Sequence, residues 1–309
     1  MNTLYVGLDI AKHSLQVNLL KDNFSLLNNS TGHRQLIKRL QASDRPVQVI
    51  CEASGGYEQA LLSQLHQAQI PASVVDPSRV RSFAKARGLR AKTDRIDAQL
   101  LSEFGHQITP AARCPLDAAT AQLRELTRYR AHLLELKQST SQQKEHLTLP
   151  ALRHAQAQLQ RQFQAHLRKV EEQITALLRH HPKLNAKAQA LQQVKGVGEK
   201  VTACLLAEMP ELGTLNRAQA ASLAGVAPFS RESGQWRGKR FIGGGRPLAR
   251  KSLYMAALVA SRHHPSLKTT YLNLIARGKA KKVALTALMR KLIILLNSQL
   301  KYLHIPLAP

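Results

Sequence analysis

Apolar residues recur along this chain with two different periods. Up to about residue 106, the short apolar runs LYVGLDI, HSLQVNLL, VQVICEA and ASVVD alternate with segments such as GYEQALLSQLHQA, in which apolar residues recur every three to four positions. Short apolar runs between turn signals predict strands, and the longer period predicts helices. Residues 1–106 are therefore expected to form an α/β domain that begins with an antiparallel meander of three strands.

The middle of the chain has the composition of long helices. No glycine occurs between Gly105 and Gly196, and Gln, Leu, Ala, Arg, Lys and His dominate. Residues 107–189 are predicted to form a helical hairpin or a coiled coil that could dimerise, and two amphipathic helices on their own core would give the same pattern. The apolar positions at heptad-like spacing are Leu126, Tyr129, Leu133 and Leu136, then Val170, Ile174 and Leu177.

A second helical domain is predicted from residue 190 to 309. Its C-terminal stretch KVALTALMRKLIILLNSQL has the pattern of a buried helix. Residues 231–251, RESGQWRGKRFIGGGRPLARK, contain seven Lys or Arg, one Glu and five of the sixteen glycines. Glycine lets the backbone approach a ligand closely, and basic residues contact phosphates. The nucleic-acid contacts predicted in this segment are Arg237, Lys239, Arg240, Arg246, Arg250 and Lys251.

Two shorter features leave alternatives open. LQQVKGVGEKVTACLLAEM has the glycine pattern of a helix-hairpin-helix, whose backbone N–H groups hold a phosphate, and an ordinary tight turn between packed helices is the alternative. The phosphate contacts predicted there are Lys195, Gly196, Gly198 and Lys200. Trp236 and Phe241 lie among basic residues and either stack on bases or pack in the core.

The charge of the chain indicates a polyanionic partner. Forty-five Lys and Arg against nineteen Asp and Glu give a formal net charge of +26, which favours nucleic acid. No apolar run reaches the roughly 18 to 20 residues of a bilayer span, and the N-terminus lacks a signal-peptide pattern, so a cytoplasmic location is expected. Cys51, Cys114 and Cys204 are scattered, which fits a reducing compartment and no zinc or disulfide framework.

Four acids have the spacing of a metal site. Asp9 and Glu52 each close an apolar run, and Asp94 and Asp97 lie one helical turn apart. Converging carboxylates require divalent cations, and two Mg2+ ions about 3.5 to 4 Å apart form the clamp for phosphodiester chemistry. Each acid also has a structural alternative, such as a turn after a strand or, for Asp94, a helix cap. Asp76 is a competitor at a third strand end, but Pro77 follows it and favours a turn.

Several long motifs carry a family resemblance. They are YVGLDIAKHSLQV, CEASGGYEQALLSQL, VVDPSRVRSFAKARGLRAKTDRIDAQLLSEFG, VKGVGEKVTACLLAEM, ASLAGVAPFSRESGQWRGKRFIGGGRPLARKSLYMAALVA and GKAKKVALTALMRKL. In this order they resemble bacterial insertion-sequence transposases with an N-terminal DEDD RuvC-like domain and a C-terminal serine-containing transposase domain. Bridge-RNA-guided recombinases and Piv-type DNA invertases belong to that group.

The resemblance implies a fold and an activity. It implies an α/β RNase H-like domain, a helical hairpin and a mainly α transposase domain, acting as a DNA recombinase through a phosphoserine intermediate. It implies Mg2+ or Mn2+ as cofactor, target and donor DNA and an element-encoded guide RNA as partners, and a homodimer that assembles into a tetramer. The catalytic residues carried over from the family are Asp9, Glu52, Asp94, Asp97 and Ser233.

Two other functions remain open at the level of sequence. One is a RuvC-like nuclease in which water attacks the phosphodiester, and the other is a nucleic-acid-binding protein without catalysis. An ATPase suggested by VGLDIAK is disfavoured, because no Gly and Thr residues that would cradle a phosphate follow the aspartate.

Overall fold

The computed structural model describes residues 3–20, 22–89, 93–112, 115–230, 232–233, 236–238 and 240–303. The chain divides into two compact units, residues 1–115 and 116–309.

A five-stranded mixed sheet forms the centre of the first unit. Its strands are β1 (Leu4–Ile10), β2 (Ser14–Leu19), β3 (Asp22–Leu27), β4 (Val47–Glu52) and β5 (Ala72–Val75), in the order β3-β2-β1-β4-β5. The first three pair antiparallel, while β1, β4 and β5 are parallel. The predicted antiparallel meander and the RNase H-like α/β fold are confirmed.

Helices cover both faces of this sheet. They are α1 (Ser30–Gln41), α2 (Gln59–Gln67), α3 (Pro77–Ala86) and α4 (Asp94–Ile108). Alternate residues of β1 and β4 enter two separate apolar clusters, as a strand with both faces covered requires. Leu4, Val6 and Leu8 belong to one cluster, whereas Tyr5 packs on the other together with residues of α3 and α4.

The second unit is mainly helical, as predicted. Its helices are α5 (Ala118–Gln143), α6 (Pro150–His180), α7 (Pro182–Gln192), α8 (Glu199–Glu208), α9 (Arg217–Leu223), α10 (Pro247–His263), α11 (Pro265–Ala276) and α12 (Lys281–Lys301). Four two-residue strands lie between α9 and α10: β6 (Pro228–Phe229), β7 (Glu232–Ser233), β8 (Trp236–Arg237) and β9 (Phe241–Ile242).

The long helices α5 and α6 are only partly buried. Leu133, Val170 and Ile174 lie in the same apolar cluster as residues of α8, α10 and α12. Tyr129 and Leu136, from the same heptad-like pattern, are 48% and 38% exposed. The base of the helical pair therefore packs on the core of the second unit, and the three-region division of the chain stays a prediction.

Helix α12 is the central element of this core. Its buried residues include Leu288, Leu292, Ile293 and Leu296, which confirms the predicted buried helix. Among the described residues it is also the one helix long and apolar enough to cross a membrane by length and composition, and half of the apolar window is buried inside the protein. Such burial is typical of a core helix.

Candidate active site

Asp9 and Glu52 lie at the carboxyl ends of two neighbouring parallel strands. Strands β1 and β4 are paired up to Leu8 and Cys51, so the next position of each strand holds one of the two acids. Both acids are half-buried. The carboxyl ends of parallel strands are where α/β proteins usually meet their ligands.

Helix α4 crosses these strands at Gly7. A Cβ atom on Gly7 would lie 1.8 Å from the carbonyl oxygen of Ala98, so the helix backbone lies directly on the strand. Because side chains alternate along a strand, Asp9 points to the same face of the sheet as Gly7. Glu52 does so too, since Ile50, two positions earlier, packs in the cluster under α3 and α4.

The strand and the helix pass each other with matched spacing. The hydroxyl of Ser102 donates a hydrogen bond to the carbonyl oxygen of Tyr5 at 2.7 Å, one helical turn and two strand residues from the crossing at Gly7. Four helical residues rise about 6 Å and two strand residues about 6.6 Å. A step of this size in the opposite direction leads from Ala98 to Asp94 on the helix and from Gly7 to Asp9 on the strand. Asp94 therefore lies level with Asp9. Asp97 lies three residues later, in the same helical turn. The backbone thus brings the four predicted acids to one end of one sheet face.

Thr93 rather than Asp94 caps helix α4. The side-chain oxygen of Thr93 accepts a hydrogen bond from the backbone N–H of Ile96 at 3.3 Å. Asp94, which is exposed, and Asp97, which is half-buried, occupy the first turn. Their negative charges are favourable there because the N-terminus of a helix carries partial positive charge.

Asp76, the competing acid, has a local role. Its carboxylate accepts a hydrogen bond from the backbone N–H of Ser78 at 2.7 Å and caps helix α3. Hydrogen bonds from Ser78 hold the pKa of Asp76 below its usual value. The carboxylate is thus engaged in starting a helix at the turn that the sequence favours.

The donor chemistry of the four acids fits a divalent metal ion. Carboxylate oxygens are the ligands that Mg2+ and Mn2+ prefer. Within the described part of the chain, no three His, Cys, Asp or Glu side chains lie close enough together to hold a metal. The backbone places the four acids at one end of one sheet face, and their role as metal ligands is a prediction.

Ser233 lies in a β-hairpin of the second unit. Phe229 pairs with Phe241 at the base of this hairpin, and Ser233 pairs with Trp236. Ser233 is thus the last residue of β7 and pairs with the first residue of β8. Lys239, a predicted DNA contact, lies outside the described residues.

Two family models match the chain. Residues 6–149 match the IS110-type DEDD transposase model, and residues 188–272 match the model described as the transposase IS116/IS110/IS902 family. The chain belongs to the IS110 transposase family. The first match includes the four acids, and the second includes Ser233.

Similar proteins are consistent with this assignment. The transposase is 28% identical over 306 residues to the pilin gene-inverting proteins of Moraxella bovis and Moraxella lacunata, covering 95% of this chain and 94% of each relative. It is 33% identical over 137 residues to the insertion element IS110 uncharacterized 43.6 kDa protein of Streptomyces coelicolor, covering 43% of this chain and 33% of that protein. The transposase is therefore an enzyme that recombines DNA.

The base of the transposase hairpin is fixed by an arginine and by close backbone contacts. Arg250 donates hydrogen bonds to the carbonyl oxygens of Gly225 and Gly244, at 3.3 and 2.6 Å. A Cβ atom on Gly245 would lie 2.3 Å from the backbone nitrogen of Gly225. Glycine is required at Gly245 both for this approach and for its φ of 65°.

Arg246 is anchored within the protein rather than extended into solvent. Its guanidinium forms two hydrogen bonds with the carboxylate of Glu211, at 2.6 and 2.7 Å, and also donates to the carbonyl oxygen of Glu208. The Arg246 side chain is 20% exposed. This arrangement holds the start of α10 to the segment after α8.

Two other predicted DNA contacts take part in ion pairs at the surface. Lys200 is 2.9 Å from Glu171, and Lys251 is 2.7 Å from Glu135. The lysine of each pair is more than 60% exposed, so solvent screens both pairs. Arg240 is also exposed.

The glycines of the predicted helix-hairpin-helix have different environments. A Cβ atom on Gly196 would lie 3.0 Å from the carbonyl oxygen of Ala256, so this glycine allows the turn to pack on α10. Gly198 precedes α8 in open space, and Lys195 beside the turn is exposed. Gly196 thus fits the tight-turn alternative, whereas Gly198 and Lys195 are accessible to a phosphate.

Asn28 links the two loops that follow the strand acids. Its side-chain nitrogen donates hydrogen bonds to the carbonyl oxygens of Ala11 and Tyr57, at 2.8 and 3.3 Å. Its oxygen faces the Nε2 atom of buried His33 at 2.7 Å. Burial lowers the pKa of His33 despite a hydrogen bond with Gln64, so the neutral ring donates to Asn28.

Glu58 organises the loop directly after Glu52. Its buried carboxylate accepts hydrogen bonds from the backbone N–H and the hydroxyl of Ser54 and from the backbone N–H of Gly56. Burial raises the pKa of Glu58, but these hydrogen bonds and one from Gln59 outweigh it and hold the pKa below its usual value. Glu58 therefore remains charged beneath the loop.

Burial also makes Cys51 chemically inert. Burial first, and then the charges of Glu58 and Glu52, raise the pKa of the Cys51 thiol to about 12. The thiol is therefore neutral at physiological pH, as is typical of a buried, unreactive cysteine.

Sequence reasoning missed Asn28, His33 and Glu58. Glycine and serine in CEASGGYE mark a loop, but only the fold shows that Glu58 turns back under it. Asn28 follows β3 and is 17 and 29 residues away in sequence from Ala11 and Tyr57, to which it is hydrogen-bonded. No sequence pattern therefore indicated its role.

Proposed function

We propose that this IS110-family transposase cuts and rejoins DNA through a covalent phosphoserine at Ser233, assisted by Mg2+ or Mn2+. The crossing of α4 over Gly7 supports the metal site most directly, because it brings the acids of the helix level with those of the strands. The match of residues 188–272 to the transposase family model, which includes Ser233, supports its role as the nucleophile. The proposed metal ligands are Asp9, Glu52, Asp94 and Asp97.

The serine reaction conserves phosphodiester bonds. The hydroxyl oxygen of Ser233 attacks the phosphorus and loses its proton, and the bond from phosphorus to a deoxyribose oxygen breaks as that oxygen takes up a proton. Rejoining is the reverse reaction with the hydroxyl of a second strand, so no nucleotide hydrolysis is needed. A bound divalent ion supplies neutralisation of the phosphate charge and stabilises the transition state.

We also propose a homodimer that pairs into a tetramer across two DNA duplexes. Leu149, directly before α6, and Leu152 and Leu159, in the N-terminal half of α6, are 60%, 48% and 36% exposed. Exposed leucines on a long helix are suited to contact with a second copy. The long helices α5 and α6 are therefore the proposed dimer contact.

Guidance by an element-encoded RNA is a further part of the proposal. The net charge of +26 is suited to simultaneous binding of RNA and DNA. A cytoplasmic location is consistent with this role.

Site-specific inversion is a second candidate outcome of the same chemistry. Two relatives named as pilin gene-inverting proteins match 95% of this chain. Inversion and transposition use the same strand exchange and differ in how the recombining sites are arranged.

The first test is a search for a protein–DNA adduct on denaturing gels. The chain is expressed with its element ends and target, with and without RNA from those ends, alongside Ser233→Ala and the control Ser230→Ala, an exposed serine three residues away. We expect an adduct in the wild type and in the control, none in Ser233→Ala, and none after chelation of divalent ions.

Other outcomes identify other mechanisms. An adduct that persists in Ser233→Ala assigns the nucleophile to another residue. Cleaved DNA without an adduct in any sample indicates attack by water and a RuvC-like nuclease. An adduct of equal yield without RNA contradicts guidance.

A further inference from the structure

The C-terminal quarter of the chain has no acidic residue. From Ser233 to Pro309 there is no Asp or Glu, whereas fifteen Lys and Arg occur. Cations in this segment can be neutralised only by acids from elsewhere in the protein or by a ligand. Those that find no internal partner mark the surface where a polyanion is attracted most strongly.

Four of these cations cluster where α11 turns into α12. Arg277, Lys279, Lys281 and Lys282 fall within six residues of sequence, and all four are exposed. No ion pair within the described residues involves any of them. We call these four residues the basic turn.

The basic turn differs from three of the cations predicted from sequence to bind DNA. Lys200, Arg246 and Lys251 each pair with a glutamate of the same chain. Part of their charge is thus neutralised before any ligand arrives, whereas the charge of the basic turn is not.

The backbone of the basic turn is well defined. Gly278 has a φ of 76°, and its backbone N–H donates to the carbonyl oxygen of Ile275 at 2.8 Å. The N–H of Lys279 donates to the carbonyl oxygen of Leu274 at 3.0 Å. Lys281 and Lys282 are the first two residues of helix α12, whose buried residues from Ala284 onward lie in the core. The four cations are therefore presented by a fixed element.

The basic turn and the segment after Glu211 lie near opposite ends of α12. Near the other end of that helix, Asn297 binds the backbone of Gly213 and Leu215, close in sequence to Glu211, the partner of Arg246. Sixteen residues separate Asn297 from Lys281, and at about 1.5 Å per residue they span about 24 Å. This distance corresponds to about seven base pairs of DNA at about 3.4 Å each.

We propose that the basic turn binds the phosphate backbone of duplex DNA at some distance from the DNA held by the hairpin. Duplex DNA fits because the family acts on DNA and because a duplex presents about two phosphates for every 3.4 Å. The inference rests on the role of the protein as a DNA recombinase and not on the phosphoserine chemistry at Ser233.

The test compares two triple variants with equal net charge. Lys279→Ala/Lys281→Ala/Lys282→Ala changes the basic turn, and Lys38→Ala/Lys169→Ala/Lys183→Ala removes three exposed lysines elsewhere. Binding to a 40-bp duplex is measured against salt concentration. We expect the basic-turn variant to bind more than tenfold more weakly at low salt, with a salt slope lower by about one to three. The control is expected to stay within twofold of the wild type.

Two further arms distinguish phosphate binding by the basic turn from a loss of folding and from a general loss of positive charge. Thermal melting checks that both variants are folded, and Lys279→Arg/Lys281→Arg/Lys282→Arg is expected to restore binding because it keeps the charge. Binding to single-stranded RNA is measured in parallel. An equal loss of duplex affinity in both Ala variants would overturn the proposal. So would a basic-turn variant that loses affinity for the RNA but not for duplex DNA. Because binding is measured without cleavage, this result does not depend on whether Ser233 forms an adduct.

Discussion

At Gly7 a hydrogen atom is the only side chain that fits between β1 and α4. The Cβ atom of any other residue would overlap the carbonyl oxygen of Ala98 and approach the backbone nitrogen of Ser102 to 2.5 Å. The relative position of Asp9 and Asp94 therefore depends on a residue that has no chemistry of its own.

Gly7→Ala is expected to push α4 away from the sheet and separate the two pairs of acids. Overpacking of this kind costs about 1–3 kcal/mol or more of unfolding free energy, and recombination should fall much further than the loss of folded protein explains. Urea unfolding and a recombination assay measure the two effects. Gly243→Ala is the control for the unfolding measurement, because a Cβ atom there has no neighbour within 4 Å. Unchanged recombination in Gly7→Ala would show that α4 need not lie on β1.

Glu58 gives a second prediction at the scale of one residue. Its folded-state pKa is depressed, so its contribution to stability is present above the pKa of an ordinary glutamate, about 4.3, and is lost as pH falls below that value. Glu58→Gln should lower the unfolding free energy by about 1–3 kcal/mol at pH 7, because charged hydrogen bonds are lost.

The pH dependence distinguishes this role of Glu58 from simple packing. The difference between wild type and Glu58→Gln should shrink when urea unfolding is repeated at pH 3 to 4. A difference that is constant with pH would mean that the charge of Glu58 contributes nothing.

At the scale of elements, the hairpin that carries Ser233 depends on contacts at its base. Its strands are two residues long, so backbone pairing alone gives little stability. Arg250 holds Gly225 and Gly244, and Arg246 joins the start of α10 to Glu211. Two arginines that sequence reasoning assigned to DNA are thus engaged in positioning the hairpin.

The pair Arg246–Glu211 allows the two roles of Arg246 to be separated. If Arg246 supports the hairpin, Arg246→Gln and Glu211→Gln should each lower the unfolding free energy by about 1–2 kcal/mol and reduce recombination alike. If Arg246 mainly binds DNA, removing the negative charge of Glu211 should strengthen DNA binding instead. Unfolding curves and DNA titrations of both variants and of the double variant decide between them.

At the scale of the whole molecule, the proposed dimer contact and the acid-free segment occupy different parts of the chain. Leu152 and Leu159 are exposed in the N-terminal half of α6, while the segment from residue 233 onward carries fifteen cations and no acid. One surface is suited to a second copy of the chain and the other to nucleic acid. Self-association and DNA binding should therefore respond to different substitutions.

Leu149→Ser/Leu152→Ser/Leu159→Ser is expected to shift the protein from dimer to monomer. The unfolding free energy of the monomer should change by less than about 0.5 kcal/mol per site, because the side chains are exposed. Light scattering over a range of concentrations gives the molar mass, and Leu20→Ser/Leu27→Ser/Leu272→Ser is a control of similarly exposed leucines. Loss of the dimer in the control alone would place the contact elsewhere.

The secondary-structure elements and the family follow from the sequence alone. Periods of two and of three to four residues are local properties, so the meander, the long helices and buried α12 could be predicted. The long motifs carry the family, and the resemblance implies the site residues Asp9, Glu52, Asp94, Asp97 and Ser233, whose roles stay a prediction.

The contacts that support these residues become visible only in the folded chain. Threonine and aspartate both favour the N-cap position of a helix, and in the folded chain Thr93 rather than Asp94 caps α4. A sequence does not show whether a lysine or an arginine binds a phosphate or pairs with a glutamate of the same chain. The ion pairs of Arg246 and Lys251 could therefore not be predicted. Asn28 and Glu58 act on loops through contacts made by folding. Such contacts join distant parts of the chain and leave no local period, which is why the sequence did not reveal them.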